Sequence, residues 1–290
     1  MKKNIGMIGI GMMGHGIATN VAKHGWSLTV LEHAGNQPLD SLKAAGVRTA
    51  TSASAVAAAS DIVILVLTGS PQVEAVLTGG DGVLKGLRPG SIVVDCSTAL
   101  PESTARMAKA IEAAGSRLLD APMTRTPKEA AEGRLNLLIG GDAQLLEACR
   151  PLLSCFAENI FHAGPTGAGH SMKLLHNFVS LGSVALISEA AACATDHGVA
   201  PEAFVEILAK GGGGGIALER MRPYLLGKDT SSLRFSVANA VKDLGYYSQM
   251  AGDAGAYKTI AAGVLATLEH AQREAPAALV PELADLLLKK

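Results

Sequence analysis

Lys173, His176 and Asn177 stand at i, i+3 and i+4 within the stretch Gly164-Pro165-Thr166-Gly167-Ala168-Gly169-His170-Ser171-Met172-Lys173-Leu174-Leu175-His176-Asn177. The glycines and the proline are expected to break any regular element. The proline-free apolar run that follows, Leu174 through Ala194, reads as a long helix whose first turns carry the three polar residues. At that spacing they share one face. A lysine beside an amide and an imidazole, on the rigid start of a mostly buried helix, can give a proton to an oxygen held above it and take it back. Taken alone, the same residues fit a polar helical turn at the surface equally well, and the other end of the chain decides between the two.

There, Asn4 to Ile8 is a short apolar run followed by Gly9-Ile10-Gly11-Met12-Met13-Gly14 and then a helical pattern, Ile17, Val21 and Ala22, that ends at Gly25. A second strand, Leu28 to Leu31, ends on Glu32, 18 residues after Gly14. Strand, glycine turn, helix, second strand and acidic terminus together make a dinucleotide-binding fingerprint. Gly9 allows the tight turn, Gly11 lets the backbone approach a pyrophosphate, and Gly14 lets helix and strand pack closely. The phosphates would meet the free N–H groups at the helix start, to which Ile10, Met12 and Met13 also belong. Glu32 can accept hydrogen bonds from ribose hydroxyls and would repel a 2′-phosphate, so NAD is the expected cofactor. Lys43 and Arg48 keep NADP possible.

Strand and helix then alternate: Ile62 to Leu67, Ile92 to Asp95, Leu118 to Asp120, Leu135 to Ile139 and Ile160 to His162, with helices such as Pro101 to Ala114 and Asp142 to Leu153 between them. From about Gly164 the strands stop, and the rest reads as helices: 171 to 197, Pro201 to Lys210, Ile216 to Leu225, Val237 to Met250, Ala256 to Ala271 and Pro281 to Leu288. The expected fold is α/β, a Rossmann-type doubly wound sheet over residues 1–163, followed by an all-helical domain, 164–290, joined to it by the long helix. The glycine run Gly211 to Gly215 cannot hold a helix and reads as a loop.

Composition narrows the function classes. The formal net charge is -1, with both signs interspersed, so no basic field for nucleic acid is present. The contiguous apolar runs are far short of the roughly 20 residues that cross a bilayer, and the start shows no signal-peptide pattern; a soluble, cytoplasmic chain without membrane partners is expected. Cys96, Cys149, Cys155 and Cys193 lack metal-ligand spacing and read as small buried hydrophobes, so no metal is expected. The helical half should carry apolar faces suited to a homodimer or homotetramer.

Gly9-x-Gly11-x-x-Gly14 with Met13, then Ala18, Asn20 and Lys23-His24-Gly25, resembles the start of the β-hydroxyacid dehydrogenases, the group that includes 3-hydroxyisobutyrate dehydrogenase, tartronate semialdehyde reductase and sulfolactaldehyde reductase. The resemblance continues through Asp95-Cys96-Ser97-Thr98, Asp120-Ala121-Pro122, Gly164 to Asn177 and Lys242-Asp243-Leu244-Gly245, in the family's order, over about the first 250 residues. It implies that Lys173 is the general acid and base, that Asn177, with His176 beside it, helps hold the substrate, and that Lys242 closes over the cofactor. Ser97 and Thr98 would lie near the nicotinamide end, Ser97 toward the substrate and Thr98 toward the cofactor, and Leu67 and Thr68 are expected at the cofactor as well. The implied reaction is hydride transfer between a nicotinamide and a short acidic alcohol or aldehyde. Oxidative decarboxylation, as in 6-phosphogluconate dehydrogenase, needs a larger helical half, and a sensor that had lost catalysis would be expected to lose Lys173 or Asn177.

One motif departs from the family pattern. Where Asp-Ala-Pro usually runs into Val-Ser-Gly-Gly, this chain has Met123-Thr124-Arg125-Thr126. Thr124 keeps a hydroxyl and Arg125 brings a guanidinium, similar to an arginine in sulfolactaldehyde reductases, so both are expected at the acidic end of the substrate. The competing role for Arg125 is an ion pair with Glu129 one helical turn on. The stretch after His270 also lacks the glycine-rich, aspartate-containing ending common in the family.

Overall fold

The computed structural model describes residues 2–288. Its order is β1 (Ile5–Ile8), α1 (Met12–Lys23), β2 (Leu28–Leu31), α2 (Asp40–Ala44), β3 (Arg48–Ala50), α3 (Ala53–Ala58), β4 (Ile62–Leu65), α4 (Ser70–Thr78), α5 (Val83–Gly86), β5 (Ile92–Asp95), α6 (Pro101–Ala113), β6 (Arg117–Asp120), β7 (Met123–Thr124), α7 (Pro127–Glu132), β8 (Leu135–Gly140), α8 (Ala143–Leu153) and β9 (Ala157–Gly164). Helices follow: α9 (Ala168–Asp196), α10 (Pro201–Lys210), α11 (Ile216–Gly227), α12 (Val237–Asp253), α13 (Thr259–Glu274) and α14 (Leu283–Leu286). Contacts divide the chain into two compact units, Met1–Lys173 and Leu174–Lys290, with the division inside α9.

In the first unit the central strands β1, β4 and β5 are buried on both faces, as a sheet covered on both sides requires. The side chains alternate with the pleat: Ile62, Ile64, Ile92 and Val94 enter one core with Ile5, Met7 and Val30, while Val63, Leu65 and Val93 enter a second with Ile8. The strand order is β3-β2-β1-β4-β5-β6-β8-β7, with β9 beside β8. Strands β1 to β6 are mutually parallel where they pair, and β8 runs antiparallel to β6 and β7. From β1 the sheet grows one way through β2 and the other way through β4, so the carboxyl ends of β1 and β4 flank the switch point at which such folds bind ligands.

Local signals set the helix ends. Pro101 and Pro127 open α6 and α7, Thr126 and Glu129 form a capping box, and Gly133 closes α7 with φ 73. Strands β3 and β7 and helices α2 to α5 and α7 go beyond the sequence reading, being too short for a clear period, and β9 extends to eight residues.

The glycine stretch does not break structure throughout, because α9 begins inside it at Ala168. Gly169 is helical, and its lack of a side chain serves packing: a Cβ there would lie 2.4 Å from the carbonyl oxygen of Leu138. Lys173 therefore sits in the second turn of α9. With 29 residues and an 18-residue stretch of mean hydropathy 1.5, α9 is by length and composition long and apolar enough to cross a membrane, which the contiguous runs alone did not suggest. Past Lys173 its Leu181, Val184 and Ala185 join the core of the second unit with Met221, Val237, Leu244, Val264 and Leu268. Phe178 stacks on Tyr247 of α12 with ring centroids 4.3 Å apart. The run Gly211 to Gly215 is an exposed turn between α10 and α11.

Candidate active site

The turn after β1 tests its fit to a dinucleotide through the space around each glycine. Gly9 has φ 98, and a Cβ on it would stand 2.1 Å from the carbonyl oxygen of Val66; on Gly14 it would stand 1.9 Å from that of Gly9. Protein packing thus demands both. Gly11 is different, since a Cβ there meets nothing within 4 Å. Protein packing does not demand it, and its bareness leaves the room that close approach by a pyrophosphate would need. Gly11 is also the N-cap of α1 and supplies no side-chain cap, so the first N–H groups of the helix are left for a ligand, with the Met12 side chain 66% exposed beside them. These residues fit a dinucleotide. Met13 packs part-buried against the core. Ile10 differs from its expected role: its side chain is wholly buried, its N–H donates to Asn36 Oδ1 at 3.3 Å and its carbonyl accepts from Gln37, so it braces the turn from behind.

Glu32 follows β2 at the rim of an open cavity of about 560 Å3 that His33, Asn36 and Lys43 also line. Lys43 Nζ lies 2.7 Å from Glu32 Oε1, and that bond, ahead of one from Thr49, holds the exposed carboxyl below the usual carboxylate range. Arg48 donates to Ser27 Oγ. At the switch point, Leu67 N–H donates to Ser97 Oγ at 2.9 Å, Thr68 is exposed and Thr98 half-buried. Ser97 is 2% exposed and its hydroxyl ties the β4 and β5 ends together, a bracing position rather than an open substrate contact.

The largest addition to the sequence reading is a buried polar cluster beneath the start of α9. Asp120, at the end of β6 and fully buried, accepts from the N–H of Gly167 at 2.8 Å on one oxygen and from that of His170 at 2.9 Å on the other. The His170 ring, also fully buried, meets Thr104 Oγ1 at 2.7 Å and the Ser97 carbonyl at 3.1 Å, with carboxyl oxygens of Asp95 and Asp120 each 3.9 Å away. A carbonyl only accepts, so Nε2 carries a hydrogen. Asp120 thereby fixes the helix whose next turn carries Lys173, and a carboxylate suits the N-terminal end of a helix dipole. The Asp-Ala-Pro motif marked Asp120, but nothing in the sequence linked it to His170, 50 positions on.

Thr124, on β7, accepts a hydrogen bond from Asn136 Nδ2 at 3.0 Å. Arg125 does not pair with Glu129, whose carboxylate takes the N–H and hydroxyl of Thr126 at 3.0 and 2.5 Å. The Arg125 guanidinium instead meets Glu158 and donates to the Arg134 carbonyl. Its φ of 82 is a left-handed conformation that a non-glycine residue rarely adopts.

The second unit holds the remaining candidates. Asn177 Nδ2 donates to Asp243 Oδ2 at 2.6 Å, and Asn177 Oδ1 accepts from His176 Nδ1 at 3.0 Å. Lys242 lies 2.9 Å from the other oxygen of Asp243 and 5.3 Å from the Tyr246 ring centroid. Both Asn177 and Asp243 are buried, so the amide is held in one orientation with a second N–H hydrogen still to offer. Asp243 was legible only as part of the Lys-Asp-Leu-Gly motif. Among the described residues no group of three or more His, Cys, Asp and Glu could hold a metal ion. Cys96, Cys149 and Cys155 are buried and Cys193, on the outer face of α9, is exposed.

Comparison with known proteins agrees with this geometry. Residues 4–164 match the family model described as the NAD binding domain of 6-phosphogluconate dehydrogenase, and residues 167–279 match that described as NAD-binding of NADP-dependent 3-hydroxyisobutyrate dehydrogenase. The chain is 37% identical to the NAD-dependent L-serine dehydrogenase of Pseudomonas aeruginosa over 77% of its own length and 74% of that protein's. It is 33% identical to the 2-(hydroxymethyl)glutarate dehydrogenase of Eubacterium barkeri over 83% and 80%. The solved structure of Mycobacterium tuberculosis 3-hydroxyisobutyrate dehydrogenase with L-serine superposes with a TM-score of 0.89 at 26% identity, covering 99% of each chain. The chain belongs to the β-hydroxyacid dehydrogenase family. It is an oxidoreductase acting on CH–OH groups with a nicotinamide cofactor.

Proposed function

We propose that this oxidoreductase moves a hydride between NAD and a short hydroxy acid or semialdehyde bearing a carboxylate or sulfonate, with Lys173 as proton donor and acceptor. The observation that carries the acidic-substrate reading is Arg125, an arginine in a left-handed conformation where the family pattern has glycine. Backbone strain of this kind is found at functional positions, and a guanidinium matches two oxygens of an acid group at once. Thr124 supplies a hydroxyl to the same group. Asn177, oriented by Asp243, donates to a substrate oxygen while His176 holds the amide from the other side. Lys173 protonates the oxygen of the carbonyl as it becomes an alcohol and removes that proton in the reverse direction. When bound, the nicotinamide gives or takes the hydride. Gly9, Gly11 and Gly14 would hold the pyrophosphate, Leu67, Thr68 and Thr98 would meet the nicotinamide half, and Lys242 would be a further cofactor residue.

Glu32 supports NAD over NADP. Its carboxylate suits ribose hydroxyls and opposes a 2′-phosphate, while Lys43 beside it is already paired with it. The helical unit supports a homodimer or homotetramer through its exposed isoleucines at 207, 216 and 260. The test follows absorbance of the reduced cofactor with NADH or NADPH against tartronate semialdehyde and sulfolactaldehyde, and with NAD or NADP against L-serine, 3-hydroxyisobutyrate and 2-(hydroxymethyl)glutarate. Turnover of at least one, with kcat/KM higher for the unphosphorylated cofactor, is expected. No turnover of any acid removes the substrate reading, and a preference for NADPH removes the role of Glu32.

A further inference from the structure

Strands β7, β8 and β9 bring Thr124, Asn136 and Asn159 to one register position, Thr124 opposite Asn136 and Asn136 opposite Asn159. Asparagine is depleted in strands, and two of them paired in a sheet whose neighbouring positions are Leu135 and Leu137 ask for a reason. Their side chains join in series. Asn159 Nδ2 donates to Asn136 Oδ1 at 2.9 Å, and Asn136 Nδ2 donates to Thr124 Oγ1 at 3.0 Å. An amide accepts only at oxygen and donates only at nitrogen, so the orientation of Asn159 sets that of Asn136. Asn136 then turns an N–H toward the threonine and fills one lone pair of its hydroxyl. The hydrogen of that hydroxyl is thereby directed away from the ladder, which makes Thr124 a donor to whatever stands on its other side. Arg125, the residue after β7, pairs with Glu158, the residue before Asn159 in β9, so the two flanking segments are also tied by charge.

We propose that Asn136 and Asn159 are positioning residues that hold the Thr124 hydroxyl as a hydrogen-bond donor to the acidic group of the substrate, so that they govern how tightly the acid is held and not the rate of hydride transfer. This rests on the reading that Thr124 meets that group. A donor is what an anion needs, because a hydroxyl that gave its hydrogen to the protein would offer the acid only lone pairs. Substitution at Asn159 tests the direction of the ladder without touching Thr124. Asn159→Asp leaves only acceptors at the far end, so Asn136 turns its Nδ2 toward residue 159 and its Oδ1 toward Thr124, which then donates inward.

The experiment measures kcat, KM and melting temperature with the acid of highest kcat/KM among those named above, for Thr124→Val, Asn159→Leu, Asn159→Asp and Asn136→Leu, and for Asn159→Asp combined with Thr124→Val. Thr124→Val is expected to raise KM roughly tenfold, the loss of a bond to a charged group, with kcat within about twofold. Asn159→Asp should raise KM nearly as much, Asn136→Leu and Asn159→Leu less, and Asn159→Asp should add nothing once Thr124 is valine. Should Thr124→Val raise KM while the asparagine variants leave it unchanged, the ladder only knits the strands and the proposal falls, with Thr124 still a substrate residue. Should Asn159→Asp raise KM equally with and without Thr124, the effect is one of charge and the proposal falls as well. An unchanged KM in Thr124→Val overturns both the proposal and the reading of Thr124. If Asn136→Leu does not fold, the two Asn159 variants at the half-buried end of the ladder give the same comparison, and a fall in melting temperature with KM unchanged counts against the proposal.

Discussion

Arg125 holds φ at 82, where a side chain is disfavoured and glycine is at ease, while its guanidinium is paired with Glu158. Removing the side chain separates a stability role from a substrate role. Arg125→Gly relieves about 1 kcal/mol of backbone strain and gives up a part-exposed ion pair worth about 0 to 1 kcal/mol, so the melting temperature should move little. If Arg125 reads the acid, KM for the best substrate should rise roughly tenfold or more with NADH affinity unchanged. A fall in melting temperature with KM unchanged would leave Arg125 as a strand tie. Lys173→Ala is expected to lower kcat by roughly a hundredfold to ten-thousandfold, the usual worth of a positioned general acid. NADH binding, followed by fluorescence titration, should persist because it rests on the β1–α1 turn. A variant that keeps more than about a tenth of kcat would take Lys173 out of the proton transfer.

At the scale of elements, the start of α9 is held by one carboxylate. The two oxygens of Asp120 accept from Gly167 and His170 in a place without access to water. Asp120→Ala strands two buried N–H groups and is expected to destabilise the first unit by about 3 to 5 kcal/mol, read from the urea midpoint. Asp120→Asn should be nearly as harmful despite its similar shape, because one oxygen becomes an amide nitrogen facing an N–H. A midpoint for Asp120→Asn equal to that of the unaltered protein would mean that hydrogen bonding to the carboxylate does not hold this helix start. The turn before α1 makes a parallel case. Gly14→Ala puts a Cβ 1.9 Å from the Gly9 carbonyl oxygen and should disrupt folding, whereas Gly11→Ala meets nothing within 4 Å and should fold normally while weakening NADH binding.

At the scale of the molecule, the second unit leaves Val179 and Leu186 of α9 exposed by 65% and 64%, on a helix whose Leu181, Val184 and Ala185 enter its core. An aqueous surface seldom carries so much large apolar side chain without a partner. Light scattering is expected to give a mass of two or four chains, and Val179→Glu with Leu186→Glu to shift it toward one while leaving far-ultraviolet circular dichroism unchanged. A single-chain mass for the unaltered protein would remove the oligomer proposal.

The sequence by itself determined the alternation of strand and helix, the glycine turn with its acidic partner at Glu32, and the helical second half, because each is written in local periodicity and in residues whose backbone needs are known. It also marked Lys173 and Asn177, by type and by neighbours within four residues, and Arg125, by its place in a family motif that it interrupts. Only the tertiary structure decided what those side chains touch. That Asp120 clamps Gly167 and His170, that Ser97 is a brace, that Asp243 orients Asn177 and that Arg125 meets Glu158 and not Glu129 all depend on pairs 30 to 66 positions apart. Such pairs are set by strand order and helix packing, and no period or spacing along the chain records them. The short strands β3 and β7 were lost for the same reason: two or three residues carry no pattern of their own, and their hydrogen bonds belong to the strands beside them.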